Sequence, residues 1–211
     1  SVAGGVISTN LNKLSFSIQA YDTRNGTSNQ DGIYSARLFV DEVERSSFYI
    51  DSISYPDSRY MNCQVDYKMI STGSSWMQHT SKLPGDLSGV YYDLGQRGLI
   101  ELLNNGTHDI RIEVADADGN SSSIKFKIQH NGAEAPVSSS YEWQPLRPNK
   151  LFNANFEAYL PINALYDKMN AHHAATPSST PNSVSAKHSL GQTYIPVHSP
   201  FEVRIRPNKP E

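Results

Sequence analysis

Two runs of strict alternation between Thr107 and Ile128 constrain this chain more than any other stretch. In the first, Ile110, Ile112 and Val114 point one way while Asp109, Arg111 and Glu113 point the other. In the second, Ile124, Phe126 and Ile128 are set against Lys125, Lys127 and Gln129. Period-two alternation marks strands with one face on a core and the other in water. Asp116-Ala117-Asp118-Gly119-Asn120 separates the runs, and Gly, Asn and Asp supply turn chemistry. The stretch therefore predicts an antiparallel hairpin, and a hairpin needs further strands to bury its apolar face.

The rest of the chain offers them. Leu14, Phe16, Ile18 and Ala20 alternate with Ser15, Ser17 and Gln19 and predict a first strand. Tyr34, Ala36, Leu38 and Val40 predict a second, Ser47 to Ile53 is a third apolar run, and Leu99 to Leu103 a short strand. Asp57 to Ile70 fits two readings. Met61, Cys63, Val65, Tyr67 and Met69 alternate as in a strand, whereas Tyr60, Cys63, Tyr67 and Ile70 have helical spacing with Asp57 or Ser58 as a cap. The cap favours a short helix. Ser71 to Gly98 reads as a long irregular connection, folded back so that Trp76, Tyr91 and Tyr92 leave water.

The alternation stops after Ile128. Residues 133–140 have linker composition, which divides the chain into a domain over residues 1–132 and a second over 141–211. In the second, aromatic-bearing runs lead to a tract, Ala174 to Ala186, of Ala, Thr, Pro, Ser and Asn with one Val. Such a tract predicts a flexible loop. Thr193–Val197 and Phe201–Arg206 read as a closing strand pair. The fold class expected is all-β: an immunoglobulin-like β-sandwich followed by a smaller β-sandwich-like domain that looks incomplete.

Composition narrows the functions. A net charge of −3 with 18% charged residues provides no basic field for nucleic acid and no polybasic membrane patch. No apolar run approaches the roughly 18 residues that cross a bilayer. The N-terminus lacks the layout of a secretory signal, as expected of a mature chain or one cut from something longer. One cysteine, Cys63, allows no intrachain disulfide and sits in an apolar alternation, as a buried small hydrophobe does.

Seven histidines raise the question of a metal. His172 and His173 are adjacent and expected to face solvent. His188 and His198 lie among turn residues, and His79, His108 and His130 at loop or strand ends. HExxH and His-x-His are absent, and no His has Asp four residues on, so no metal ligand, catalytic residue or cofactor is nominated. Asp116 to Asn120 resembles the opening of a calcium loop. However, Ser121 and Lys127 stand where an EF-hand has Gly and Glu, so a plain turn is favoured over weak calcium binding. There is no G-x-S-x-G elbow. Five aromatics, Trp76, Tyr91, Tyr92, Tyr141 and Trp143, could contact a sugar or plug sandwich ends, and an exposed row of rings would decide between the two.

A series of short phrases carries a resemblance. Asp31-Gly32-Ile33-Tyr34, Leu38-Phe39-Val40-Asp41, Ser58-Arg59-Tyr60-Met61-Asn62, Asp66-Tyr67-Lys68 and Gln96-Arg97-Gly98-Leu99-Ile100 come first. Val114-Ala115-Asp116, Asp118-Gly119-Asn120, Leu160-Pro161-Ile162-Asn163-Ala164-Leu165-Tyr166-Asp167 and Tyr194-Ile195-Pro196-Val197-His198 follow. Over residues 14 to 206 this order resembles the region downstream of the catalytic domain in lysostaphin-type (LytM-like) zinc endopeptidases of the Gram-negative envelope. That family binds zinc through His-x(3)-Asp and His-x-His, neither of which has a counterpart here. The resemblance implies an extracytoplasmic, non-catalytic β-sandwich module of a peptidoglycan peptidase. Its partners would be cell-wall glycan or peptide, or the catalytic domain of the same polypeptide. A glycan-binding or adhesion module of the envelope is the alternative.

Overall fold

The computed structural model describes residues 5–23, 30–93, 95–132 and 142–208. The chain is all-β and of sandwich type. It divides into two compact units, Ser1–Val137 and Ser138–Glu211. The expected linker, 133–140, lies outside the described residues.

Six strands form the main sheet of the first unit: β1 (Val6–Thr9), β2 (Ser35–Val40), β3 (Val43–Tyr49), β4 (Tyr91–Asp93), β5 (Thr107–Ala115) and β6 (Ser121–His130). Their order is β1-β6-β5-β2-β3-β4, with β1 parallel to β6 and the other pairs antiparallel. The hairpin β5–β6 sits near the middle, in the register its alternation dictates. Ile110 lies opposite Phe126 and Ile112 opposite Ile124, while Asp109 faces Lys127 on the other side. Ile110, Ile112, Ile128, Leu38 and Val40 pack against Leu14, Phe16, Ile18, Ile100 and Leu102. Phe16 meets Phe126 edge to face at 5.1 Å.

That opposing layer departs from the single strand expected over Leu14 to Ala20. Lys13–Leu14 pairs with Ile100–Glu101 and Ser17–Ile18 with Gln78–His79, so two short ladders replace one long one. Each segment changes partner after two residues, which alternation cannot reveal. The connection Ser71 to Gly98 is likewise less irregular than expected, because Gln78–His79 and β4 fall within it.

Asp57 to Ile70 is largely helical, as favoured, but Asp57 and Ser58 lie inside the first turn and cap no helix with their side chains. Pro56–Tyr60 is a 3-10 turn, and α1 (Met61–Gln64) and α2 (Tyr67–Ser71) are short helices. Val65 between them is extended and bridges to Gln78. The Asp66 carboxylate accepts from the Met69 amide at 3.2 Å and caps α2.

The second unit contains β7 (Glu142–Trp143), β8 (Asn149–Phe152), β9 (Phe156–Leu160), β10 (Met169–Asn170), β11 (His173–Thr176), β12 (Lys187–Leu190) and β13 (Glu202–Ile205). The strands β8-β9-β13 make a three-stranded sheet, and β7–β10 and β11–β12 are separate pairs. Trp143, Phe156, Ala158, Leu160, Ala164, Leu165, Met169 and Ala171 form its core. Buried Asn149 anchors the preceding turn. Its amide donates to the Gln144 and Arg147 carbonyls and its oxygen accepts from the Gln144 amide.

Two expectations fail in this unit. The tract Ala174 to Ala186 is not all loop, because Ala174–Thr176 belongs to β11 and pairs with β12. Thr193–Val197 is not a strand. Pro196 lacks a donor, the Ile195 amide turns back to Gln192 at 3.1 Å, and only Val197 bridges, to Leu165.

Candidate functional site

Alternation along β4 separates two neighbouring tyrosines. Tyr91 lies opposite Phe48 and is buried (6% exposed), with its hydroxyl donating to the His79 carbonyl at 2.8 Å. Tyr92 lies opposite Ser47 and is 55% exposed. Tyr49 lies two residues along β3 from Ser47, on the same face, which sets it diagonally beside Tyr92. Their rings meet edge to face at 5.4 Å, and Tyr34 continues the row at 6.1 Å from Tyr49. Tyr34, Tyr49 and Tyr92 thus form a contiguous row of rings at the β4 side of the sheet. The Tyr34 hydroxyl donates to Asp51, and that hydrogen bond raises its pKa above the ordinary value of 10.0.

Beside the row, the same sheet face carries paired charge. Phe39 lies beneath two guanidinium groups, Arg111 at 3.7 Å from the ring centre and Arg37 at 4.8 Å. Arg111 donates to Glu42 at 2.9 Å and to Glu113, and Arg37 to Glu44 at 3.1 Å. These charges neutralise one another and leave the tyrosines as the distinctive chemistry of the face.

The aromatics picked from the sequence scatter. Tyr92 is in the row. Tyr91 and Trp143 are not surface groups, Trp143 being 5% exposed in the core of the second unit. Trp76 is 59% exposed, so it is not folded back as expected. Tyr141 lies outside the described residues. Tyr34 and Tyr49 were not nominated, because their proximity comes from strand pairing rather than spacing.

The acidic turn is committed to itself. One Asp116 oxygen accepts from the Asp118 and Asn120 amides, at 2.9 and 2.8 Å, and the other from the Asn120 side chain at 2.7 Å. That last bond leads in holding its carboxyl below the ordinary carboxylate value. A self-capping Asp-turn accounts for the whole motif.

In the second unit an open cavity of about 670 Å³ is lined by Leu151, Asn153, Asn170, His172, Gln192 and Tyr194, with His173 at its wall. His173 and His188 are not the separate groups their spacing suggests. Nε2 of His173 lies 3.0 Å from Nδ1 of His188, and their ring centres are 5.2 Å apart with planes inclined at 19°. The centres are separated by almost the nitrogen distance plus two ring radii, so the two nitrogens point at each other along a shared N–H···N bond. Phe156 stacks on both imidazoles at 4.4 and 5.1 Å. Burial, then the neighbouring charges of His188 and His172, lower the His173 pKa below 6.5. His198 Nδ1 lies 3.1 Å from the Tyr166 hydroxyl. Among the described residues no group of three or more His, Cys, Asp and Glu side chains could hold a metal ion. Nor is any helix among them long and apolar enough to cross a membrane.

The Zu5-like domain family matches residues 122–211, fewer than half of the 211 residues. The matched stretch runs from within β6 through the second unit and is similar to Zu5-like domains. No curated protein matches the chain, and no solved structure does.

Proposed function

We propose that this chain is the non-catalytic part of an extracytoplasmic peptidoglycan peptidase of the lysostaphin type, and that it grips the glycan of the Gram-negative cell wall. The observation that carries the gripping role is the row Tyr34, Tyr49 and Tyr92. Its rings are inclined at 68° and 84° to one another, which makes a stepped surface rather than a flat one. Successive sugars of a β-1,4-linked glycan turn over along the chain, and a stepped row meets alternating sugar faces. The tyrosine hydroxyls and Asp51 supply hydrogen bonds at its rim.

The link to a peptidase rests on the phrase-level resemblance. Some residues of those phrases are buried, Tyr60, Leu160, Ala164, Leu165 and Tyr166 among them. The phrases nominate no hydrolytic residue. The test is co-sedimentation of the purified chain with insoluble sacculi. Wild-type protein should pellet, and Tyr92→Ala should weaken binding about five- to tenfold. No soluble muropeptides should appear, with or without a chelator. Chelator-sensitive release would refute the non-catalytic reading, and indifference to Tyr92→Ala would refute the tyrosine row.

The alternative, a free-standing glycan-binding or adhesion module, is favoured by the same row, which needs no attached enzyme to bind. Fusion to a lysostaphin-type catalytic domain separates the two. The peptidase reading expects faster wall hydrolysis from the fusion than from the catalytic domain alone, and the adhesion reading expects no change.

A further inference from the structure

The last strand of the second unit is an open sheet edge. Among the described residues β13 pairs with β9 on one side only, and all four of its own residues are exposed. The Arg206 amide donates inward to the Asn155 carbonyl at 3.0 Å. Alternation of an antiparallel ladder then turns the Arg204 and Glu202 backbone groups inward too, and leaves those of Val203 and Ile205 facing out. The side chains of Val203 and Ile205 lie opposite Ala158 and Phe156, which are buried, yet they are 44% and 45% exposed because the sheet stops there. An edge with outward backbone groups and apolar flanks is a template for another strand.

We propose that this edge pairs with the same edge of a second copy, antiparallel, about a two-fold axis at Val203. Charge selects the occupant and the register. About Val203, Glu202 of each copy faces Arg204 of the other, and Phe201 faces Ile205, with no like-charged pair. About Arg204 that guanidinium faces its own copy, and about Ile205 two Arg204–Arg206 pairs oppose each other. Arg204 already lies 3.6 Å from Glu157 in its own sheet. Self-pairing places it between that carboxylate and the second copy's Glu202, extending a ladder of alternating charge across a six-stranded sheet. Two other edge strands among the described residues lack this device: Val6–Thr9 has no charged residue, and β8 has one, Lys150. So short a contact falls below the usual size of a stable interface, so the association is weak and concentration-dependent.

Sedimentation equilibrium of the full chain from about 10 µM to about 1 mM tests this. The wild type should move from monomer towards dimer across the range. Glu202→Arg and Arg204→Glu should each weaken self-association about tenfold, because each sets like charges opposite one another. Mixing the two variants should restore it, since one edge then carries two guanidiniums and the other two carboxylates. Circular dichroism should show both variants folded, and rescue on mixing would exclude misfolding as the cause. A wild type monomeric throughout overturns the proposal. Self-association that either variant leaves unchanged, or a mixture that stays monomeric, overturns it equally.

Discussion

Gly98 shows how much one residue can fix. Its φ of 73° lies in the left-handed region, and a Cβ there would fall 2.5 Å from Ser46 Oγ and 3.1 Å from the Thr80 carbonyl. Ser46 is buried and donates to that carbonyl, so it cannot swing away cheaply. Gly98→Ala should therefore cost about 2–4 kcal/mol, from backbone strain and overlap together, as read by urea denaturation. Cys63 makes the opposite case, a reactive group made inert. It is buried, its thiol donates to the Tyr60 carbonyl at 2.8 Å, and burial with the charge of Asp86 pushes its pKa well up. A thiol reagent should leave Cys63 unmodified in native protein and react at once in denaturant. Its apolar surroundings were legible in the sequence. The pressure on Gly98 was not, because Ser46 and Thr80 reach it only through folding.

The hairpin β5–β6 was readable because its register follows from period-two alternation, and the observed pairs Ile110–Phe126 and Ile112–Ile124 obey it. The outer face of β2 was less so. Phe39 interrupts the polar side of its strand, and only the pairing of β2 with β5 brings Arg111 over its ring. Phe39→Ala should cost roughly 3 kcal/mol, since it removes a buried ring and leaves the guanidiniums unsupported. Arg111→Gln, which spares the ring, should cost about 1 kcal/mol by the same denaturation measurement. The hairpin β2–β3 turns on Asp41 and Glu42, both at positive φ (51° and 64°), as a tight two-residue turn requires. Asp41 offsets part of that strain by accepting from His108 at 2.7 Å and from the Asp109 amide at 2.9 Å. Glu42→Gly should raise stability by about 1 kcal/mol despite losing its contact with Arg111.

At the scale of the whole molecule, the second unit carries a built-in response to acid. His173 is partly buried, shares a hydrogen bond with His188, adjoins His172 and accepts from the Asn153 side-chain amide at 3.2 Å, so a charge on it is poorly tolerated. The folded state thus takes up this proton less readily than the unfolded chain. Well above pH 6.5 the imidazole is neutral in both states and contributes no difference. As pH falls the unfolded chain protonates first, and stability is lost until the folded imidazole titrates as well. The melting temperature of the second unit should drop between about pH 7 and pH 5, and His173→Asn should flatten that slope. A slope unchanged by the substitution would place the acid response elsewhere. The two imidazoles are fifteen positions apart, and only the hairpin β11–β12 makes them one group.

The amino-acid sequence determined what alternation and turn chemistry can encode locally. That is an all-β chain, the β5–β6 hairpin, the self-capping Asp116 turn and the burial of Cys63. Tertiary structure decided everything that depends on which strand lies beside which. It split the Leu14–Ala20 run between two partners, sent Tyr91 inward and Tyr92 outward, and assembled Tyr34, Tyr49 and Tyr92 into a surface. It also joined His173 to His188 and left β13 at an open edge. The physical reason is common to all of these. A strand's period says which residues share a face, but its neighbours are chosen by long-range packing, which no local spacing records.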